Sequence, residues 1–284
     1  MRPDDIRIAL RPRRLGGAID LAGIIFRLHF RRLFGMTCLF AIPCTLLVVW
    51  SAQAEFGLLV SLSLYFFLSP ILGALIVAAL GPWIFGEPIS LETAAGTIKR
   101  RFGPLLLHVI IWRFVALFSW STFALPGLFA SAFESFVPET IVLEEQTTNG
   151  VVGRIRELGS GRWFDLIGRR FALSFYHVGL VVSVFLLAEL ISSAVFGYPL
   201  AFARAVGSAW SEELLDAFFF DAIVLGVMTF LTWILYPITR IAIFLSYLDI
   251  RIRQEAWDIE LDFRQRLLEL EAQNESGLVR SHEA

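Results

Sequence analysis

Charged residues are scarce in this sequence of 284 residues. Asp, Glu, Lys and Arg together make up 18%, whereas apolar residues make up 57% and aromatic residues 14%. Soluble proteins are typically about one quarter charged, and the mean hydropathy here is +0.70. The apolar residues also come in long blocks. The composition therefore excludes an ordinary soluble enzyme and favours a protein that crosses a membrane several times.

Cysteine is nearly absent, and so are the common catalytic motifs. Cys38 and Cys44 are the only cysteines, and both lie in the first apolar block, so we expect neither a disulfide framework nor a zinc site. The sequence has no HExxH, GxSxG or P-loop motif. The histidines are scattered, at His29, His108, His177 and His282. We therefore expect no catalytic residue, no cofactor and no metal, and a membrane-embedded lipid enzyme is the least favoured class.

The apolar residues form five blocks, at 33–53, 57–82, 104–136, 172–196 and 217–248. About 20 apolar residues cross a bilayer as a helix, so the third block is too long for one crossing. Leu125-Pro126-Gly127 interrupts it and predicts a turn. We therefore divide it into a helix at 104–124 and a return helix at 127–145, which gives six transmembrane helices in an all-α membrane protein.

The basic residues sort to one side of this arrangement. Of the 24 Lys and Arg residues, 21 fall in the segments between or beyond hairpins, at 1–32, 83–103, 146–171 and 249–284. Loops rich in Lys and Arg stay in the cytoplasm. The distribution predicts cytoplasmic N and C termini and favours six crossings over five.

Paired arginines recur at Arg31/Arg32, Arg100/Arg101 and Arg169/Arg170, each time before an apolar run. Each pair follows a segment of amphipathic helical spacing, and we predict three hairpins, each preceded by a helix lying in the cytoplasmic interface. The apolar stripe of the first, which includes Ala18, Ala22 and His29, is expected to face lipid. The second begins near Pro88. The third, at 151–171, is broken at Gly159-Ser160-Gly161, and its Trp163 and Ile167 are expected to face lipid. Candidate contacts with anionic lipid phosphates are Arg27, Arg31, Arg32, Lys99, Arg100, Arg101, Arg169 and Arg170.

Five ionisable residues fall within the apolar blocks: Arg113, Glu134, Glu189, Asp221 and Arg240. Such residues are costly in a membrane and are candidates for function. Arg113 and Glu134 come to similar depths near the middle of the membrane, and we expect them to pair. One interpretation is a set of structural ion pairs. The other is a polar path or ligand pocket formed by Arg113, Glu134, Glu189 and Arg240.

The chain ends in a charged segment, 249–284, with i,i+4 pairs such as Asp249–Arg253 that stabilise a helix. We predict a cytoplasmic helix followed by a disordered tail, after an interfacial segment at 1–32 and a transmembrane domain at 33–248. This helix stabilises itself or offers a docking surface for another protein or for the first two hairpins. The candidate docking residues are Asp249, Arg251, Arg253, Glu255, Trp257 and Asp258.

Several short motifs resemble those of a group of bacterial six-helix membrane proteins that carry the label glycerophosphoryl diester phosphodiesterase membrane domain. The motifs are Arg11-Pro12, Leu15-Gly16, Ile19-Asp20, Phe26-Arg27-Leu28, Val137-Pro138, Ile141 to Glu144, and Tyr247 to Arg253 with Glu255 and Asp258. The resemblance implies a bacterial inner-membrane domain of six helices ending in a charged cytoplasmic helix. It implies no activity, because the phosphodiesterase chemistry of that label belongs to a separate soluble domain.

These observations predict a membrane scaffold or partner subunit without a catalytic site, whose partners are inner-leaflet lipids and another membrane or cytoplasmic protein, with no nucleic acid. The alternative is a transporter or permease component that uses the intramembrane charges. A pocket near the middle of the membrane lined by Arg113 and Glu134 would favour transport. A packed bundle with a cytoplasmic groove would favour a scaffold.

Overall fold

In a computed structural model of the chain, the residues described are 14–122, 124–144, 146–147, 150–201 and 216–255. Over these ranges the protein is all-helical. The helices are α1 (Leu15–Leu28), α2 (Phe30–Ala52), α3 (Gly57–Ile84), α4 (Leu91–Thr122), α5 (Ala124–Glu134), α6 (Val137–Val142), α7 (Gly150–Gly159), α8 (Trp163–Phe196) and α9 (Ala222–Glu255).

Five of these helices, α2, α3, α4, α8 and α9, are long and apolar enough to cross a membrane. Their core is built on α3 and α9. The most apolar stretch of α3 is 67% buried and that of α9 is 50% buried, against 22% for α4 and 17% for α8. The peripheral helices therefore expose leucine, valine and phenylalanine side chains over much of their surface, as expected where lipid is the solvent. The fold is that of a polytopic membrane protein.

The segment predicted to return as one helix, 127–145, is divided into α5 and α6. α4 ends at Thr122 and α5 begins at Ala124, so the predicted turn at 125–127 is wrong: Pro126 lies in the first turn of α5, where its missing N–H costs no hydrogen bond. A second proline, Pro138, lies at the start of α6. Proline cannot donate the bond that would continue α5 past Glu134, and the chain breaks at 135–136. The lengths of 11 and 6 residues are each too short to cross a bilayer alone.

The predicted apolar stripe of the first interfacial helix packs against protein instead of facing lipid. Ala18, Ala22 and Ile25 of α1 are buried in the main core, and α1 packs against α9. Alanine at i and i+4 allows two helices to approach closely, and this signal outweighs the amphipathic pattern. His29, predicted on the same lipid-facing stripe, contacts the ring of Trp83 edge-on at 5.1 Å between ring centroids.

The interfacial segment before α8 also differs from its prediction. α7 and α8 are separated at 160–162, which matches the predicted break, but Trp163 does not point to lipid. Its ring stacks on Phe133 of α5, with centroids 5.8 Å apart and planes 6° from parallel. The half-buried Trp163 thus joins the start of α8 to α5.

One end of the bundle, which we call the basic end, gathers the start of α2, the loop after α3 and the end of α9. Arg32 Nη1 donates a hydrogen bond to the carbonyl of Ile89 at 2.9 Å. Arg154 of α7 binds Glu144, which follows α6. The α2–α3 connection and the end of α4 lie at the opposite end. Arg32 of the first basic pair and Arg169 of the third, which binds Asp249 of α9, therefore both lie at this end.

Candidate ligand cavity

A cavity of about 600 Å³ lies beside the break between α5 and α6 and opens on one side to the surface of the bundle. Ligand pockets typically have volumes of about 300–1,000 Å³. Its walls come from α3, α4, α5, α8 and α9, with Pro138 of α6 at the helix break. The residues that line it are Leu62, Ser63, Tyr65, Phe66, Phe67, Ser69, Pro70, Arg113, Leu117, Trp120, Ser131, Glu134, Ser135, Pro138, Arg170, Tyr236, Arg240 and Ile243.

Arg113 and Glu134 meet on one wall of this cavity. Arg113 Nε lies 3.2 Å from Glu134 Oε1, and Arg113 Nη1 donates to Glu134 Oε2 at 3.3 Å. The guanidinium also donates from Nη2 to Ser69 Oγ at 3.2 Å and lies 4.3 Å from the ring centroid of Phe66. The structure thus brings together the two residues expected to pair, and both remain accessible from the cavity, at 11% and 12% side-chain exposure.

The break between α5 and α6 is held by Arg240, which rises from α9. Arg240 Nη1 donates to the carbonyl of Ser135 at 3.0 Å, and Nη2 lies 2.6 Å from Glu139 Oε2. Nε donates to the carbonyl of Gly73 at 3.4 Å. A Cβ atom on Gly73 would lie 2.8 Å from Tyr236 Oη and 3.0 Å from Arg240 Nε, so glycine is required for this approach. Arg240 therefore supplies the donor that the interrupted backbone lacks.

Glu139 is the residue that the sequence interpretation missed. Its side chain is fully buried, at 0% exposure, and that of Arg240 is 4% exposed. A buried charge without a partner costs several kcal/mol, so each of these residues depends on the other. The apolar pattern around 137–142 could have indicated a buried glutamate, but the identity of its partner depends on how α6 meets α9.

Arg170 also faces the cavity, although the sequence predicted that it would contact lipid phosphate. It lines the cavity together with Arg113 and Glu134. The helical periodicity of α8 could have indicated that Arg170 faces the protein interior. Leu166, Leu173 and His177 are buried, and Arg170 lies between them on the same face of the helix.

An aromatic wall completes the cavity between α3, α8 and α9. Tyr236 Oη donates to the carbonyl of Ser69 at 2.9 Å. The ring of His177 stacks on Tyr65 with centroids 5.9 Å apart, and His177 Nδ1 shares a hydrogen bond with Thr239 Oγ1 at 3.2 Å. These contacts hold the rings of Tyr65 and Tyr236 in place in the cavity lining.

Glu189, predicted in the polar path, and Asp221, the fifth ionisable residue of the apolar blocks, both lie away from the cavity. Glu189, near the far end of α8, accepts hydrogen bonds from the backbone N–H groups of Leu200 and Ala201 at 3.1 and 2.8 Å. It fastens the loop after α8, so its predicted place in the pocket is wrong. Asp221 Oδ1 accepts from the N–H groups of Ile223 and Val224 at 2.8 and 3.0 Å. Asp221 is the N-cap of α9.

A second ionic cluster, which we call the basic-end cluster, joins Glu144, Arg154, Asp249, Arg169 and Arg251. Arg154 binds both carboxylate oxygens of Glu144, at 2.6 and 3.1 Å, and Arg251 Nε lies 3.7 Å from the same carboxylate. Arg169 Nη1 donates to Asp249 at 3.0 Å. The hydroxyl of Tyr247 also donates to Glu144. The bonds of this cluster connect α7, α8 and α9 with one another and with the end of α6.

The basic-end cluster corrects two predictions. Asp249 is 3% exposed and binds Arg169 and Arg253, each at 3.0 Å, so it is not part of a docking surface. Arg169 is engaged by Asp165 and Asp249 and is not a free contact for lipid phosphate. Glu255 ends α9, and Trp257, Asp258 and the predicted disordered tail lie outside the described residues.

The remaining candidate lipid contacts lie on the outside of the basic end. Their side chains are exposed except for that of Arg101, which is half-buried; they are Arg27, Arg31, Arg32, Lys99, Arg100 and Arg101. This position is compatible with lipid phosphates, and the contact itself stays a prediction.

Comparisons of the chain with protein-family models, with curated proteins and with solved structures find no match. Among the described residues, no group of three or more His, Cys, Asp or Glu side chains is arranged to hold a metal ion. The candidate site therefore rests on the cavity and its charged lining.

Proposed function

We propose that the protein is a carrier of the transporter or permease class, which holds a ligand in the central cavity. The observation that carries this proposal is a cavity of about 600 Å³ lined by Arg113 and Glu134. A purely structural ion pair needs no open space beside it, and the Glu144–Arg154 pair, whose residues do not line the cavity, has none of this kind. The scaffold interpretation ranks second, because Asp249 of its expected docking surface is buried in internal ion pairs.

The proposed topology has six crossings in three hairpins, with both termini in the cytoplasm of a bacterial inner membrane. α2–α3 and α8–α9 form two hairpins. In the third, α4 returns through α5 and α6 as a broken crossing. The broken crossing is supported by its ends: α5 begins beside the end of α4, and Glu144, just after α6, lies at the basic end with Arg154 and Arg251. The resemblance to the six-helix group stays a prediction that rests on its motifs.

A broken crossing suits a carrier. Irregular backbone is tolerated at membrane depth only where it is buried in protein or lines a cavity, and broken helices often border substrate sites of transporters. Here the carbonyl of Ser135, at the break, faces Arg240 on the cavity wall. A ligand that changed the contacts of Arg240 would act directly on α5 and α6, because Arg240 binds the carbonyl of Ser135 between them.

Cysteine accessibility tests this proposal without knowledge of the ligand. In a background with Cys38 and Cys44 replaced by alanine, a single cysteine is introduced at Ser131 in the cavity. The matched control is S183C, because Ser183 is exposed on α8 and is not among the cavity-lining residues. Each variant is treated with a charged, membrane-impermeant thiol reagent in sealed vesicles of both orientations.

A carrier predicts that S131C reacts from both sides of the membrane and that S183C, which faces hydrocarbon, does not react. The reason is that only a thiol in a water-filled space ionises and meets the reagent. If S131C is as unreactive as S183C from both sides, the cavity is closed to solutes and the scaffold interpretation is the better one.

A further inference from the structure

We infer that the cavity takes an amphiphile with one anionic group, its phosphate or carboxylate held by Arg170 and Arg113 and its apolar chain directed toward the bilayer. This inference rests on the proposed function, because it requires that the cavity binds a ligand. It adds the chemical class of that ligand, which the sequence did not indicate.

The charges of the cavity do not balance. Three arginines line it, Arg113, Arg170 and Arg240, together with one carboxylate, that of Glu134. Glu139, behind the lining, neutralises Arg240, and Glu134 neutralises Arg113. Arginine does not lose its proton in proteins. The described residues therefore leave one positive charge on the cavity lining, where it has no fixed counter-charge.

Arg170 carries this excess charge. Its neighbour Arg169 binds two carboxylates, those of Asp165 and Asp249. In contrast, the guanidinium of Arg170 makes no hydrogen bond or ion pair with any residue in the described ranges, and it borders the cavity. A guanidinium binds phosphate or carboxylate through two parallel N–H groups. The side chain is thus available to an anion that enters the cavity.

The other side of the cavity is apolar and exposed. Leu62, Phe67, Leu117 and Trp120 line it and are between 44% and 60% exposed on the surface of the bundle. They lie on the halves of α3 and α4 away from the basic end. In a membrane this surface meets acyl chains, so an apolar chain can reach from the bilayer along the wall to the arginines. The juxtaposition of an unpaired guanidinium with a laterally open apolar wall indicates an anionic amphiphile.

The experiment measures binding to the full-length protein, purified in a neutral maltoside detergent, by ligand-induced change in melting temperature and by titration. Four probes distinguish the contribution of the anionic group from that of the apolar chain, and the effect of net charge from that of polarity. They are decyl phosphate, the zwitterionic decyl phosphocholine, inorganic phosphate and decanol. We expect decyl phosphate to bind and each of the other three to bind at least about tenfold more weakly. Decanol lacks the charged hydrogen-bond acceptor, decyl phosphocholine has no net negative charge, and inorganic phosphate lacks the apolar chain.

Variants of Arg170 test whether this residue binds the anionic group of the ligand. R170Q should weaken decyl phosphate binding about tenfold or more, and R170K should give an intermediate loss, because lysine keeps the charge but not the paired donors. R156Q is the matched control, because Arg156 is exposed on α7 and should leave binding unchanged. R170K also provides a test if R170Q does not fold.

The outcomes separate this inference from the proposed function. Equal binding of decyl phosphate and decyl phosphocholine, or equal binding to R170Q and the unaltered protein, overturns the inference on charge. Inorganic phosphate binding as tightly as decyl phosphate overturns the amphiphile and indicates a free anion. Failure of all four probes to bind while S131C remains reactive overturns the ligand class but leaves the carrier proposal standing. Failure together with an unreactive S131C overturns both.

Discussion

The bundle holds two ionic clusters of similar composition and different design. At the basic-end cluster, Glu144 and Asp249 are each bound by two arginines, and the structure closes around them. At the break between α5 and α6, Arg113, Glu134 and Arg240 border a cavity of about 600 Å³, and Glu139 binds Arg240 behind the lining. Arginine and glutamate alone therefore do not indicate a binding site. The space beside them and the balance of charge distinguish the second cluster from the first.

Breaking the most buried pair is expected to have the largest effect. R240Q leaves Glu139 charged and fully buried and removes the donor to the carbonyl of Ser135. Loss of one partner of a buried pair costs about 3–5 kcal/mol, so we expect poor expression or a strongly lowered melting temperature in detergent. R156Q serves as the control for arginine loss. A melting temperature equal to that of R156Q would contradict the assigned role of Arg240.

Reversal of the Arg113–Glu134 pair should have the next largest effect. R113E sets two carboxylates against each other and should cost about 2–3 kcal/mol, less than a fully buried pair because both side chains border the cavity. The double variant R113E/E134R should recover most of that loss. The measurement is the melting temperature of the two single variants and the double variant, analysed as a cycle. Absence of recovery would show that the two residues do not act as a pair.

The basic-end cluster provides the contrasting prediction. E144Q weakens the bidentate bond to Arg154 and should lower stability by about 1.5–3 kcal/mol, the range for hydrogen bonds to charged groups. Because Glu144 does not line the cavity, E144Q should leave the thiol reactivity of S131C unchanged at a temperature where the protein is folded. A large change in that reactivity would mean that the two clusters are not independent.

The sequence predicted the parts of this fold that follow from the chemistry of the membrane. Blocks of about 20 apolar residues must form helices in a bilayer, and the helices at α2, α3, α8 and α9 lie where these blocks do. The division into α5 and α6 was missed because the interruption of the third apolar block was assigned to Pro126. Pro138 begins a new helix, whereas Pro126 is accommodated in the first turn of α5.

The candidate site was predictable only in part. Arg113 and Glu134 are near in sequence and on neighbouring elements, so depth alone suggested their contact. The partner of Arg240 depends on the packing of α6 against α9, which no local pattern specifies. α1 shows the same limit, because its amphipathic pattern could not distinguish a lipid surface from the face of another helix.

Arg169 belongs to the basic-end cluster and its neighbour Arg170 lines the cavity. These two adjacent residues therefore allow a direct comparison of the two regions. Successive helix positions differ by about 100°, so Arg169 reaches Asp249 at the basic end and Arg170 borders the cavity. R169Q removes a half-exposed and a buried contact and should cost about 1–2 kcal/mol, between the values for exposed and buried pairs. R170Q removes a charge without a partner among the described residues and should cost nothing in the ligand-free protein.

The melting temperatures of R169Q and R170Q in neutral detergent, measured side by side without ligand, test this difference most directly. We predict that R169Q melts below the unaltered protein and that R170Q melts at the same temperature or slightly above it. A loss of stability in R170Q as large as that in R169Q would contradict the charge imbalance on which the cavity's assignment to an anionic ligand depends.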